Sequence, residues 1–106
     1  MAKYLLQVNY TVEGAKGVLK DGGTKRRSAA QMAAESLGGR IESMFFAFGS
    51  TDAYVVADMP DHTSVAAITL ALAASGAATA RTTVLLTPEE MDQACRKSPA
   101  YKPPGQ

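Results

Sequence analysis

Asn9, Tyr10 and Asp52 are the polar residues that the sequence places best for contact with a bound molecule. Asn9 and Tyr10 stand at the end of the first predicted strand, where an amide and a phenol can hydrogen-bond a polar ligand. Asp52 begins the third predicted strand, where a carboxylate held away from water can act as a base. Two structural alternatives stay open: Asn9 can bond backbone or a partner subunit, and Asp52 can accept amide hydrogens of its own turn.

Tyr54 and Arg81 make a second candidate pair, since both fall on the same predicted face of the sheet. A tyrosine ring and a guanidinium can together bind an anionic aromatic ligand through stacking and charge. The alternative is that these two residues form an interface pair between two subunits.

The other reactive side chains form no catalytic or metal-binding pattern. His62, the only histidine, follows Asp61 at a helix start and is predicted to be a solvent-exposed residue of the first turn. Cys95 is the only cysteine, so an intrachain disulfide is impossible, and it is predicted to be inert. A metal site needs several ligands at suitable spacing, and the glycines fit neither a phosphate loop nor a dinucleotide fingerprint. No metal and no cofactor are therefore predicted.

The composition is that of one ordinary domain. The chain has 106 residues, of which 46% are hydrophobic and 20% charged, with a formal net charge of +1. This balance argues against disorder and against nucleic-acid binding. The one basic cluster, Lys25-Arg26-Arg27, is predicted to be a solvated helix start rather than an anion site. The longest apolar stretch, Val65 to Ala74, is too short for a membrane span and no signal peptide is apparent, so a cytoplasmic protein without membrane contact is expected.

Hydrophobic periodicity and turn residues predict the order β-α-β-β-α-β, followed by a short helix. The predicted strands are Tyr4–Thr11, Arg40–Phe48, Asp52–Met59 and Ala78–Thr87, and the predicted helical segments are Thr11–Lys16, Thr24–Leu37, Asp61–Ala74 and Pro88–Lys97. This order is the ferredoxin-like pattern of an α+β fold, with an antiparallel four-stranded sheet and helices on one face. Residues 1–97 are predicted to form one domain and residues 98–106 a Pro-rich tail.

Polar and glycine residues mark the predicted helix ends. The predicted N-caps are Thr11, Thr24, Asp61 and Thr87. The predicted stops are Asp21-Gly22-Gly23, Gly38-Gly39 and Gly76. The residues of the second helix that are predicted to face the core are Ala29, Met32 or Ala33, Ser36 and Leu37.

In the segment Met44–Phe48, the residues that would point to one face of a strand and those that would point to the other are all apolar. A strand with one solvated face would be apolar only at every second residue, so this sheet is expected to be covered on both faces. The helices of so short a chain cover one face, and a homodimer is predicted to form through the other, open face, with higher oligomers possible. The residues predicted on the open face are Leu5, Gln7, Asn9, Tyr54, Val56, Asp58, Arg81, Thr83 and Leu85. A monomer with this face in water is the alternative.

Three segments resemble the GYD family: the opening Tyr4–Thr11, the helix end Glu35–Gly39 and the hairpin Gly49–Val56, within a resemblance that extends over residues 3–95. At the motif that names the family, Gly-X-Tyr-Asp, this chain has Gly-Ser-Thr-Asp, so Thr51 stands in place of the tyrosine. The family is placed in the dimeric α+β barrel superfamily, and the resemblance therefore implies two sheets packed face to face.

Three functions stay open from the sequence. The first is a dimeric protein that binds a small, partly apolar molecule between the sheet and the helices. The second, suggested by monooxygenases of the same superfamily, is a cofactor-independent monooxygenase acting on a quinol-like aromatic substrate, which Asn9, Tyr10 and Asp52 would position and deprotonate. The third is a structural subunit that assembles through sheet edges.

Two observations would separate these functions. A pocket of about 300 Å³ or more, lined by Asn9, Tyr10 or Asp52, would favour ligand binding. A solid core would favour the structural function, and the residues expected to fill it are Phe45, Phe46, Phe48 and Leu72.

Overall fold

The computed structural model describes residues 1–106. Its strands are β1 (Ala2–Tyr10), β2 (Arg40–Phe46), β3 (Ala53–Met59) and β4 (Ala78–Leu85), and its helices are α1 (Val12–Asp21), α2 (Gly23–Ser36), α3 (His62–Ala74) and α4 (Pro88–Cys95). All neighbouring strands pair antiparallel, in the spatial order β2-β3-β1-β4. The predicted ferredoxin-like α+β fold is confirmed.

Side-chain caps begin three of the four helices, as the sequence predicts. Thr11 Oγ1 accepts the amide hydrogen of Gly14 at 3.2 Å at the start of α1, and Asp61 Oδ1 accepts an amide hydrogen of α3 at 2.8 Å. Thr87 and Glu90 form a reciprocal capping box at the start of α4. Each bond satisfies a backbone N–H that has no partner inside its own helix.

Two helix predictions are wrong. α1 continues past Lys16 to Asp21, where it ends at the predicted break Asp21-Gly22-Gly23. Thr24 is not the cap of α2, which begins at Gly23 without a side-chain cap. Gly22 has a φ of +80°, a conformation that glycine adopts without steric cost, and this single residue turns the chain from α1 into α2.

The connection between β2 and β3 is longer than the predicted four-residue turn. β2 ends at Phe46 rather than Phe48, and residues 47–52 form the loop. The amide of Ala47 donates to the carbonyl oxygen of Asp52 at 2.8 Å, while the Asp52 amide donates to a carbonyl oxygen of β1 at 2.9 Å. The first bond closes the loop, and the second extends the pairing of β3 with β1 by one residue.

The core lies on the sheet face that the helices cover, with the predicted side-chain parity. The buried residues of β1 are Tyr4, Leu6 and Val8, those of β3 are Ala53, Val55, Ala57 and Met59, and the other buried hydrophobic residues are Ala34, Val65 and Ala78. The residues of β1 and β3 that alternate with these buried ones point to the opposite, open face, as predicted.

Helix α2 presents the predicted residues Ala29, Ala33, Ser36 and Leu37 to the space between the helices and the sheet, so of the two predicted alternatives Ala33 is right and Met32 is wrong. Its buried residue is Ala34, whereas Met32 is exposed to solvent. Gly39, just beyond the helix, lies so close to the backbone and side chain at the end of β3 that a Cβ there would overlap Met59. This close approach holds the chain just beyond α2 against the end of β3.

The open face of the sheet has an aromatic end and a charged end. At the aromatic end, Phe45 pairs across the strands with Tyr54 and is 70% exposed. At the charged end, Lys3 Nζ lies 2.8 Å from carboxylate oxygens of both Glu42 and Asp58. The guanidinium of Arg40 lies 2.7 Å from the second oxygen of Asp58, and these two cations leave Asp58 only 7% exposed.

Helix α4 and residues 98–106 extend away from the rest of the domain. Every residue of α4 is exposed, and the molecule measures 57 Å along its longest axis against 32 and 23 Å along the others. None of the four helices combines the length and the apolar character needed to cross a bilayer.

Candidate functional site

A cleft opens between α2 and α3 above the middle of the sheet. α2 packs mainly on β2, and α3 mainly on β4, which are the two outer strands of the sheet. The central strands β3 and β1 supply most of the floor between these two helices. The resulting cavity has a volume of about 440 Å³, and we call it the interhelical cleft.

Small and apolar side chains line the interhelical cleft. Seventeen of its 20 lining residues are hydrophobic. Its floor comprises Leu6, Val8, Ile41, Met44, Val55, Ala57 and Met59, and its walls include Ala29, Ala30, Ala33, Ala34 and Leu37 of the α2 side with Ala67, Ile68, Ala71 and Leu72 of α3. Alanines on facing helices leave space that larger side chains would fill, so the alanine-rich sequence of both helices adds to the volume of the cleft.

Arg26 is the only charged residue that lines the interhelical cleft. The other two polar lining residues are Ser36 and Ser75, whose hydroxyls donate to carbonyl oxygens of their own helices at 2.7 and 2.6 Å. Arg26 lies in the first turn of α2, is half-buried, and has no carboxylate within 4.0 Å. The cleft is thus an apolar space with one cation at its edge.

Tyr10, at the end of β1, lies at the same end of the cleft as Arg26. Burial raises the pKa of the Tyr10 phenol; the nearby Arg26 guanidinium acts in the opposite direction, and the Asp52 carboxylate acts in the same direction as burial. The phenol is therefore protonated at neutral pH and can donate a hydrogen bond.

The structure gives Asn9 and Asp52 bonds to backbone groups. Asn9 Nδ2 donates to the carbonyl oxygen of Ser50 at 2.8 Å, and Asp52 Oδ2 accepts the amide hydrogen of Tyr10 at 2.9 Å. Both bonds fasten the 47–52 loop to the end of β1. Of the three residues, only Tyr10 lines the interhelical cleft.

Tyr54 and Arg81 lie on the open face, on the side of the sheet opposite the cleft. They share one row, in which Gln7 of β1 separates them. The guanidinium of Arg81 donates to Thr51 Oγ1 at 3.1 Å, and Thr51 is only 2% exposed. The five candidate residues thus occupy three places, and a ligand-binding role for each of them stays a prediction.

Comparison with known proteins places the sequence in a family. The family model described as GYD domain matches residues 4–95. The chain belongs to the GYD family. No curated protein and no solved structure matches it. The matched region runs from β1 through the end of α4, so the projecting helix is part of the GYD domain itself, and the resemblance found in the sequence is confirmed.

Sequence reasoning missed Arg26 as a site residue of this GYD domain, because it grouped Arg26 with two exposed basic neighbours. A helical signal was nevertheless present. Arg26, Ala30, Ala33 and Leu37 are spaced four, three and four residues apart, which puts them on one face of a helix. The same spacing places the charge in line with the small residues of the cleft wall.

A second, smaller depression of the GYD domain lies beside the edge strand β4. Its volume is about 300 Å³, and its lining residues are Tyr4, His62, Val65, Ala66, Thr69, Thr82 and Val84. His62 is exposed, as predicted, but its Nδ1 also lies 2.6 Å from the phenol oxygen of Tyr4. No three His, Cys, Asp or Glu side chains of the chain converge where they could hold a metal ion.

Proposed function

We propose that this GYD-family protein binds a small, largely apolar molecule in the interhelical cleft. The observation that carries the proposal is the cleft itself, about 440 Å³ of apolar space between α2, α3 and the two central strands. Sites for small molecules have volumes of about 300–1,000 Å³ and apolar walls with a few polar groups. Tyr10 and Arg26 are the polar groups suited to orienting a ligand here.

The packing of the aromatic residues supports a binding function over a purely structural one. Phe45, Phe46 and Phe48 are exposed rather than packed into the core, and Phe48 is exposed completely. Leu72, the fourth residue expected to fill a solid core, lines the cleft instead. The space between sheet and helices is therefore available to a ligand.

The hydrogen bonds of Asn9 and Asp52 favour binding over the monooxygenase alternative. Both side chains already bond to backbone groups, and neither lines the cleft. A substrate in the cleft would meet only Tyr10 of the three residues suggested to position and deprotonate it.

We also propose that a second copy of the chain covers the open face. Leu5, Val56 and Leu85 are only partly buried there, and Phe45 and Tyr54 remain exposed at its aromatic end. The charged end contains two cations and two anions that pair with each other, so a partner surface can cover it without leaving an unpaired charge. An identical face meets both requirements, because each copy neutralises its own charges and supplies apolar area to the other.

Titration with the neutral fluorescent probe N-phenyl-1-naphthylamine tests the binding proposal. We expect saturable binding with a blue-shifted emission, because the probe enters an apolar environment. Ala71→Trp places an indole inside the cleft and should weaken binding at least tenfold. The matched control is Ala73→Trp on the same helix, since Ala73 is exposed and does not line the cleft. No saturable binding to the wild-type protein, or equal binding by both variants, would overturn the proposal.

A further inference from the structure

We propose that the ligand of the interhelical cleft is an amphiphilic monocarboxylate, whose carboxylate pairs with Arg26 and whose apolar body lies along the cleft. This inference rests on the binding function proposed above and adds the chemical class of the ligand. Its basis is the charge, the hydrogen-bonding groups and the direction of the cleft, each of which selects against other classes of small molecule.

Arg26 has no carboxylate within 4.0 Å, and it is the one charged residue that lines the cleft. The other cations without such a partner lie outside the cleft. A guanidinium keeps its charge at all accessible pH values, and partial burial beside apolar walls removes part of its hydration. An anion bound at this position would restore the lost electrostatic stabilisation, whereas a bound cation would be repelled.

The hydrogen-bonding groups at this end of the cleft are donors. Arg26 offers a planar fork of N–H groups that matches the two oxygens of a carboxylate. The protonated phenol of Tyr10 offers a further O–H. The Ser75 hydroxyl is used within the chain, since it donates to the carbonyl oxygen of Leu72 and accepts the amide hydrogen of Ala77. Arg26 also lies in the first turn of α2, where the helix dipole favours a negative charge. The Asp52 carboxylate is near Tyr10, where it accepts the Tyr10 amide hydrogen, and it does not line the cleft.

The cleft runs away from this polar end along the strands. Tyr10 pairs with Ala78 at one end of the sheet, and Ala2 pairs with Met59 at the other. Arg26 and Tyr10 line the first end of the cleft, and Leu37 and Met59 line the second. A ligand anchored at Arg26 therefore meets apolar side chains along the rest of its length, apart from the Ser36 hydroxyl, whose hydrogen is given to the carbonyl oxygen of Ala33. Such a surface suits an alkyl chain or an aromatic body and not a second charge.

Displacement of N-phenyl-1-naphthylamine by three ten-carbon amphiphiles tests this inference. Decanoate, decanol and decylammonium share one alkyl chain and differ only in the head group. We expect decanoate to displace the probe at a concentration at least tenfold lower than decanol, with decylammonium weakest. Arg26→Gln should reduce the advantage of decanoate over decanol to less than threefold. Arg27→Gln, which removes an exposed neighbouring charge that does not line the cleft, should preserve it.

The possible results separate this inference from the proposed function. Equal displacement by decanoate and decanol from the wild-type protein would overturn the carboxylate inference while leaving apolar binding intact. A preference for decanoate that survives Arg26→Gln would overturn the assignment of Arg26. If the probe does not bind the wild-type protein, the proposed function itself fails. Circular dichroism of the two arginine variants shows whether they retain the fold. Loss of displaceable probe in Ala71→Trp shows that the displaced probe was bound in the cleft.

Discussion

The phenol oxygen of Tyr4 lies 2.6 Å from Nδ1 of His62, with the two rings almost perpendicular and their centroids 5.7 Å apart. Tyr4 is 1% exposed, whereas His62 lies at the surface in the first turn of α3. With a neutral imidazole, the phenol donates to Nδ1 and the ring proton resides on Nε2. The bond satisfies a buried hydroxyl and connects the beginning of β1 to the beginning of α3.

His62→Ala should destabilise the protein by about 1–3 kcal/mol, because it leaves the buried Tyr4 hydroxyl without a partner. Tyr4→Phe removes that hydroxyl, so adding His62→Ala to Tyr4→Phe should cost less than about 0.5 kcal/mol more. Urea denaturation of the two single variants and the double variant measures this coupling. Strictly additive effects would mean that the short contact contributes nothing to stability.

Asp58 should make the folding stability depend on pH in the acid range. The hydrogen bond from Lys3 lowers the pKa of the Asp58 carboxyl, burial opposes this shift, and the charges of Lys3 and Arg40 add to it. The pKa of Asp58 is therefore lower in the folded state than in the unfolded state. Its contribution to the free energy of unfolding is fully present above the unfolded-state pKa of about 3.9 and is lost as the pH falls through the folded-state pKa.

Asp58→Asn should therefore be less stable than wild type at pH 7, and the difference between the two should shrink as the pH falls below about 4. Urea denaturation at several pH values gives the difference in unfolding free energy. Asp92→Asn on the exposed helix α4 serves as the control and should show a small difference at every pH. A difference for Asp58→Asn that stays constant from pH 7 to the acid limit would contradict the ion-pair interpretation.

Two glycines of α1 should respond to alanine in opposite directions. A Cβ on Gly14 would overlap the carbonyl oxygen of Ala77, a backbone group that also accepts the amide hydrogen of Thr11. A Cβ on Gly17 would meet no atom within 4 Å. We expect Gly14→Ala to destabilise the protein by about 1–3 kcal/mol and Gly17→Ala to stabilise it by about 0.5–1 kcal/mol. Thermal denaturation measures the stability of both variants against the wild-type protein. A Gly14→Ala protein as stable as wild type would show that α1 can move away from the loop before β4.

The proposed dimer predicts that a charge in the middle of the open face separates the subunits. Size-exclusion chromatography with light scattering should give twice the monomer mass for the wild-type protein at micromolar concentration. Val56→Lys should give the monomer mass, because its ammonium would be buried unpaired between the sheets. Leu70→Lys, at an exposed position of α3, should remain dimeric. A monomeric wild-type protein would leave the open face in water and contradict the assembly.

Local features of the sequence determine much of this fold. The alternation in β1 and β3 correctly separates the core face from the open face, because successive side chains of a strand point to opposite sides. Thr11, Asp61 and Thr87 cap helices as predicted, since a cap needs only its own residue and the next few amides. The GYD segments identify the family for the same reason: they are patterns along the chain and do not depend on packing.

Only the tertiary structure decides where the candidate site lies. The cleft exists because α2 and α3 pack on the outer strands β2 and β4, and no local pattern states how far apart two helices lie on a sheet. Asn9 and Asp52 turn out to hold a loop, and Arg26 turns out to line the cleft, because their partners come from segments distant in sequence. Spacing along the chain determines which residues share a face of a helix or strand. The free energy of packing elements that are distant in sequence determines what lies against that face.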